Sequence, residues 1–332
     1  MKFKNWYLIV VFALVQQAFS QEGVAIYSDY LNDNYFLVHP SMAGASNCTK
    51  IRATARQQWF DSDNAPRLQT LSANGQAGES LGVGAIFFND RNGNHSQTGA
   101  KLAVAKHLRM SSNYMELNRL QLGIAAGAVR SRLDETSFDL LNTQFDPTIG
   151  GIKQTDNYFN VDIGASYLLG SMYAHLTYRN LATSKRELYS DFESDNIRKM
   201  ILNVGYVWGN KNVLQLEPSL MYINTLETKE RSIDYNLKAY KPLDLGTVWG
   251  GISWRRQVER AEQLETDRGQ RQNMLTAILG LNVKNYMFAY NYTHLLGDIN
   301  YSGGFHQITV GIDLFCKPVP FECNCPAINN GR

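Results

Sequence analysis

The chain has 332 residues, and its 32 lysines and arginines nearly balance its 30 aspartates and glutamates, giving a formal net charge of +2. No basic block stands out, which excludes the electrostatic footprint of a nucleic-acid-binding protein. The mean hydropathy is −0.30, which excludes a protein built from membrane-spanning helices. The high aromatic content, with 18 Tyr, 15 Phe and 5 Trp, instead favours β-strands.

The N-terminus has the three parts of a secretory signal peptide. Lys2 and Lys4 form a short basic region, residues 6–15 form an apolar core, and small residues at Ala18 and Ser20 precede an expected cleavage site. The apolar run is about ten residues long, roughly half of what a membrane-spanning helix needs. No cysteine stands at the cleavage site, so a lipoprotein is not expected. The predicted signal peptide covers residues 1–20.

Beyond residue 21, hydrophobicity repeats with a period of two almost everywhere. In the segment 158–167, polar or small residues alternate with apolar ones, and the same pattern recurs at 171–179, 214–222 and 307–314. This period places the two sets on opposite faces of a sheet. The segments are about nine to twelve residues long, whereas soluble strands usually have five or six. A tilted strand crossing a bilayer needs about nine to eleven, so the length favours a transmembrane barrel over a soluble β-protein.

Aromatic residues lie near the ends of these segments, as at a membrane interface. Examples are Trp59 and Phe60, Phe87 and Phe88, Tyr158 and Phe159, and Tyr206 and Trp208.

The pattern predicts an all-β fold, namely a transmembrane outer-membrane antiparallel β-barrel of about 14 strands, because single-chain bacterial barrels have even strand numbers. The strands are expected near 49–60, 68–76, 80–89, 97–108, 114–131, 157–169, 171–181, 197–209, 212–224, 232–240, 245–257, 271–283, 285–296 and 305–315.

Short turns alternate with longer polar loops at 132–156, 182–196, 225–231 and 258–270. In such barrels the short turns face the periplasm and the long loops face outside. The predicted division is therefore a periplasmic N-terminal segment at 21–48, the barrel at 49–316 and a periplasmic C-terminal tail at 317–332.

Motifs that carry chemistry are not found in the sequence. It has no Gly-rich phosphate loop, no zinc-binding Cys spacing and no Gly-x-Ser-x-Gly sequence, so neither an enzyme nor a cofactor or metal is expected. His107 and His175 fall on inward faces, where a Ser–His hydrolase is an alternative to ordinary polar lumen residues. Bulky residues at Tyr173, Met221 and Trp249 also point inward and argue for a plugged interior.

The cysteines are disulfide candidates, because exported chains meet an oxidising compartment. Closing a barrel makes its first and last strands neighbours, so Cys48 and Cys316 reach one seam, with Cys323 and Cys325 on the tail beyond it. We predict that Cys48 is bonded to Cys316 or to a tail cysteine, and that the other two are paired. The sequence does not choose among the three connectivities.

Several short motifs follow one another along the chain. Leu81-Gly82-Val83-Gly84 opens the third predicted strand, and the other motif positions are Pro40, Ala43, Gly44, Arg56, Gln58, Trp59, Pro66, Gly303, Gly304, His306 and Ile308.

This ordered set resembles the PorP/SprF family of type IX secretion membrane proteins of Bacteroidota, over residues 34–316. His39 stands where the family usually has Asn, residues 67–69 intervene before Thr70, and Gln307 replaces the usual Glu.

The motif residues also have a physical interpretation. Pro fixes φ and Gly permits a positive φ, so Pro40 and Gly44 are expected to form a turn that leads into the first strand. Arg56 and Gln58 are expected to point into the lumen, where the arginine would pair with carboxylates. Gly303 and Gly304 would allow a tight turn before the last strand.

The resemblance implies an outer-membrane barrel of the type IX secretion and gliding motility system. It would be accessory to the secretion or cell-surface attachment of a secreted protein, such as an adhesin held through its C-terminal domain. The implied partners are the lipid bilayer of the outer membrane, that secreted protein and translocon components. A porin-like channel is the alternative function, and a barrel enzyme is the third.

Overall fold

A computed structural model describes residues 28–58, 65–113, 115–136, 151–182, 197–259, 273–296 and 304–318. Within them, three short 3₁₀ turns (Ser28–Leu31, Tyr35–Leu37 and Pro40–Met42) precede fourteen antiparallel strands, of which the eighth has two pieces. The strands are β1 Thr49–Gln58, β2 Arg67–Gln76, β3 Leu81–Asn92, β4 His95–Arg109, β5 Asn118–Asp134, β6 Lys153–Leu169, β7 Met172–Arg179, β8 Lys199–Tyr206 with Trp208–Asn210, β9 Leu214–Thr225, β10 Arg231–Leu243, β11 Gly246–Glu259, β12 Asn273–Val283, β13 Tyr286–Leu296 and β14 Phe305–Leu314.

The sheet closes on itself. Each strand pairs with the next along the chain, and β14 pairs with β1 from Thr49–Leu314 to Gln58–Phe305. A closed sheet has no unpaired edge, which the hydrocarbon core of a membrane requires. The interruption of β8 lies opposite Pro218 of β9, whose nitrogen has no hydrogen to donate to a ladder. The predicted fourteen-strand barrel is confirmed.

The two faces of the wall are those that the alternation predicted. In β6, Phe159 and Ile163 point outward and are 54% and 43% exposed, whereas Asn160 and Asp162 point inward and are buried. Among the described residues, no helix is long and apolar enough to cross a membrane.

Some of the predicted interface aromatics lie elsewhere. Phe87, Phe159, Tyr206 and Trp208 do face outward. Phe88 and Tyr158 instead face the lumen, where they form an apolar cluster with Leu68 and Val129. A pair of adjacent aromatics in a strand points to opposite faces, so only one member can meet lipid.

Strand bounds differ most in the β5–β6 hairpin, where the predicted loop 132–156 is shorter. The ladder continues to the pair Asp134–Lys153. Both faces of this extension carry polar residues, so the hydrogen bonds continue after the alternation has ended. Such a ladder needs no apolar face, because water covers both sides of the extension.

The two rims of the barrel differ in their connections. The rim that carries Cys48 and Cys316, here called the terminal rim, has short turns at 77–80, 170–171, 211–213, 244–245 and 284–285. The opposite rim, here called the loop rim, carries the predicted long loops. Residues 137–150, 183–196 and 260–272 of that rim lie outside the described part of the chain.

A disulfide closes the seam between the first and last strands. It joins Cys48 to Cys316, whose Cα atoms lie 4.0 Å apart at a sequence separation of 268 residues. Beside it, the Lys317 backbone N–H donates to the Asn47 carbonyl oxygen at 3.0 Å. One of the predicted pairings is therefore present. Cys323 and Cys325 lie outside the described residues, and their pairing stays a prediction.

Candidate functional site: the occupied lumen

The described part of the N-terminal segment lies inside the barrel. We call residues 30–46 the plug. The sequence pattern assigned residues 21–48 to a separate periplasmic segment, yet Tyr30, His39 and Ser41 are completely buried among inward side chains. The segment has no period of two, and its polar residues suit a polar lumen as well as they suit the periplasm, so the sequence did not distinguish the two.

A buried ion-pair cluster holds one side of the plug. The ammonium of Lys238 on β10 lies 2.9 Å from a carboxylate oxygen of Asp33 and 3.2 Å from one of Glu217 on β9. The Tyr240 hydroxyl lies 2.9 Å from Asp33 and 2.8 Å from Glu217. Burial raises the pKa of Asp33, but Lys238 and Lys50 outweigh it and hold the pKa below its usual value. The plug thus brings an ionised carboxylate to a buried cation, and pairing is what makes buried charge tolerable.

The ring of Tyr35 reaches the same cluster. Its hydroxyl lies 2.8 Å from the Tyr173 hydroxyl and 2.8 Å from Glu217, to which Tyr173 also donates at 2.7 Å. Burial, followed by the charge of Glu217, raises the pKa of Tyr35 well above its ordinary value. Tyr35 therefore remains a neutral hydrogen-bond donor.

A third set of contacts joins the plug to β6 and β7. His39 Nδ1 lies 2.8 Å from Thr177 Oγ1, and Ser41 Oγ lies 2.6 Å from Ser166 Oγ. Ser166 is also 2.7 Å from His175 Nδ1. A serine and a histidine on neighbouring strands are thus at hydrogen-bonding distance, as the hydrolase alternative required.

This Ser–His pair is covered by the plug. Ser166 and His175 are each 1% exposed, and Ser41 of the plug lies directly against Ser166. The arrangement attaches the plug to the wall and keeps both side chains buried. Nor do the described residues contain a group of three or more His, Cys, Asp or Glu side chains placed to hold a metal ion.

Glycines in the wall make room for the plug backbone. A Cβ atom on Gly82 would overlap the Ala43 carbonyl, and one on Gly123 would overlap the backbone of Ser41. Gly84 likewise lies under the ring of Phe36. Two of the sequence motifs therefore pack against each other, because the glycines of β3 form the seat for the N-terminal motif.

Within that N-terminal motif, Pro40, Ala43 and Gly44 form the predicted turn. Pro40 begins a 3₁₀ turn, and Gly44 has a φ of +60° at the close approach to Gly75. The turn leads into β1 as expected, but it does so from within the lumen.

The remaining motif positions lie near the loop rim. Arg56 is buried on the lumen face of β1 and interacts electrostatically with Asp90. On the outer face, His306 Nδ1 lies 2.6 Å from the Tyr290 hydroxyl. In the same region the Gln58 backbone N–H donates to the Pro66 carbonyl oxygen. Gly304 has a φ of +50°, and the side chain of Ile308 is 58% exposed. Trp59 and Gly303 lie outside the described residues.

Sequence reasoning missed the charged residues that contact the plug, Asp33, Glu217 and Lys238. A signal for two of them was present, because Glu217 and Lys238 occupy inward positions and are direct register partners across the β9–β10 hairpin. Counting residues outward from the turn between β9 and β10 places Glu217 opposite Lys238. Nothing comparable marks Asp33, which precedes the first strand.

A closed antiparallel barrel with an apolar outer face and a polar, occupied lumen defines the class of outer-membrane β-barrels. The family described as type IX secretion system membrane protein PorP/SprF matches residues 19–312, and the chain belongs to this family. The family is one of a secretion system. None of the curated proteins matches the chain.

Solved structures with a similar fold include other barrels. The CymD monoaromatic hydrocarbon channel is 9% identical, with 85% of this chain and 91% of that chain covered and a TM-score of 0.49. The TodX monoaromatic hydrocarbon channel deltaS2 mutant is 10% identical, with coverages of 84% and 92% and a TM-score of 0.46. The KdgM porin in complex with disordered oligogalacturonate is 8% identical, with coverages of 80% and 98% and a TM-score of 0.37.

Proposed function

We propose that this barrel is a non-enzymatic accessory of the type IX secretion system that retains a secreted protein at the cell surface. The partner is a surface protein such as an adhesin, bound through its C-terminal domain, and translocon components are further partners. Where the adhesin serves gliding, the barrel supports motility as well. The observation that carries the proposal is the plug, because a barrel whose lumen is filled by its own chain presents its rims, and not its interior, to partners.

The unequal rims support an orientation for the proposed barrel. Short turns of outer-membrane barrels face the periplasm and long loops face outside. We therefore place the terminal rim, with the seam disulfide and both chain ends, in the periplasm. The loop rim then faces the medium, where a secreted protein has to be held.

The plug also argues against a passive porin. A porin needs a continuous aqueous lumen. In this barrel the plug residues Tyr30, Tyr35 and Met42 are buried within the lumen. Retention at the loop rim needs no such passage.

Shortening the loops tests the proposal. Separate deletions within 132–156, 182–196 and 258–270 should leave a heat-modifiable barrel on gels but release the secreted partner into the medium. A deletion within the terminal-rim connection 111–116 is the matched control and should leave retention unchanged. If all three loop deletions keep the partner on the cells, the binding surface is not at the loop rim.

A further inference from the structure

Several wall groups that bind the plug also have partners within the wall. Tyr30 donates to Asp234, but Arg255 holds that carboxylate through two hydrogen bonds of 2.7 Å. Asn32 donates to Thr309, which also lies 2.9 Å from Thr54 on β1.

The same holds for the buried charges under the plug. Lys238 keeps Glu217 at 3.2 Å when Asp33 leaves, and Glu217 keeps Tyr173 at 2.7 Å when Tyr35 leaves. Removing one partner of a buried pair is costly when it leaves a charge uncompensated. Withdrawal of the plug therefore leaves these wall charges compensated.

On its C-terminal side the plug is covalently anchored at the terminal rim. It continues directly into β1, and the disulfide fixes Cys48 to Cys316 at the seam. The positive φ of Gly44 lies between this anchor and the docked residues. A segment held in this way can swing out through the terminal rim, and the tether keeps it at high local concentration for return.

The lumen wall is suited to water once the plug has left. Its inward side chains include Ser166, Thr177 and Asn203, together with paired charges. Eight-stranded barrels are filled by side chains and sixteen-stranded porins leave an aqueous channel, which places a fourteen-stranded barrel near the larger class.

We infer that the plug is a displaceable gate, and that the barrel conducts small hydrated ions and solutes while the plug is withdrawn. This inference does not depend on retention of a secreted protein, because the purified barrel in a lipid bilayer contains no such partner.

A single added methyl group tests the gate. Gly123→Ala places a Cβ atom against the backbone of Ser41 and Pro40, and the atoms closest to that Cβ all belong to the plug. In planar bilayers with KCl, the fraction of time in the open state should rise by about tenfold, corresponding to about 1.4 kcal/mol of lost docking. Gly250→Ala, the same change in β11 on the outer face, is the control and should behave like the parent protein.

A labelling experiment measures displacement of the plug independently of conductance. Ser41→Cys, made in a Cys323→Ser and Cys325→Ser background, places a thiol at a completely buried position of the plug. A membrane-impermeant maleimide should label it in folded protein, and about tenfold faster when Gly123→Ala is added. If the labelling rates with and without Gly123→Ala are equal and limited by unfolding of the barrel, the plug is a permanent part of the core. Faster labelling without channel steps would overturn the conducting state.

Discussion

At the scale of single residues, Lys238 is the side chain on which plug and wall both depend. It is completely buried and lies within 3.2 Å of two carboxylates, one from the plug and one from the wall. Lys238→Met would leave Asp33 and Glu217 without this cation and should lower the free energy of unfolding by about 3–5 kcal/mol. Urea titration of the barrel in lipid vesicles measures the loss.

Asp33→Asn is the control for that experiment. It removes the plug carboxylate but leaves the Lys238–Glu217 pair intact. Its effect should be clearly smaller than that of Lys238→Met. Equal losses from both variants would mean that the wall pair is not self-sufficient, which would also weaken the case for a displaceable plug.

Docking of the plug should weaken in acid because of His39. Burial, with smaller contributions from His175 and Arg179, holds the pKa of His39 well below the ordinary 6.5. The docked histidine stays neutral while the displaced one takes up a proton, so its contribution is complete above pH 6.5 and is lost as the pH falls below that value. In bilayers the open fraction should be higher near pH 5 than near pH 7.5. His39→Gln should reduce this difference, and an unchanged pH response in that variant would assign it to other groups, such as His107, which contacts the plug at the Ala43 carbonyl.

At the scale of elements, the strands are the best-predicted part of the molecule. Period-two alternation identified both faces of β6 and β14, since the lipid and the lumen select opposite kinds of side chain. The end of the β5–β6 hairpin was misplaced because polar residues outside the lipid band form a ladder without alternation. The seam disulfide could be foreseen as one of the possible pairings, because barrel closure brings Cys48 next to the end of the last strand.

The plug could not be predicted in the same way. A segment that folds within a polar lumen is selected for complementarity to one particular wall, and this leaves no periodic signal. Its seat was visible as the pattern Gly82-x-Gly84, but that pattern does not show what packs against the glycines. Only the bulky inward residues Tyr173, Met221 and Trp249 indicated a filled interior, and all three are buried there.

The lipid-facing assignment of β6 is testable by charge insertion. Val161→Arg or Ile163→Arg should destabilise the barrel by about 2–4 kcal/mol if these residues lie near the bilayer midplane. Ile152→Arg, just beyond the loop-rim end of β6, should cost about 0–1 kcal/mol. Oxygen should reach spin labels at Val161 and Ile163, whereas polar relaxation agents should not. Accessibility to the polar agents at both positions would contradict a lipid contact.

The seam disulfide should stabilise the closed barrel. It links residues 268 positions apart, so chain entropy assigns it on the order of 5 kcal/mol as an upper bound. Cys48→Ser with Cys316→Ser should lower the temperature at which the barrel loses its compact gel mobility. Non-reducing peptide mapping should recover the two cysteines in one linked peptide. A Cys48 peptide found only as the free thiol would show that strand hydrogen bonds alone hold the seam.

At the scale of the whole molecule, the two rims of the barrel carry different structural features. The terminal rim holds the disulfide, the tether of the plug and the short turns. The loop rim carries the long connections, and under the proposed orientation it faces the medium. A plugged lumen and one rim rich in loops together favour a surface that holds a partner over an open pore.

Site-specific photocrosslinking in living cells tests this account most directly. A photoreactive residue replaces Leu226 or Lys229 in the 226–230 turn of the loop rim, and in control strains it replaces Lys211 or Leu245 in the turns of the terminal rim. We expect the loop-rim positions to crosslink to a surface protein exported by the type IX system, identified by mass spectrometry through its C-terminal domain. The control positions should give no such product. Crosslinks to that protein from the terminal rim alone would contradict retention at the loop rim.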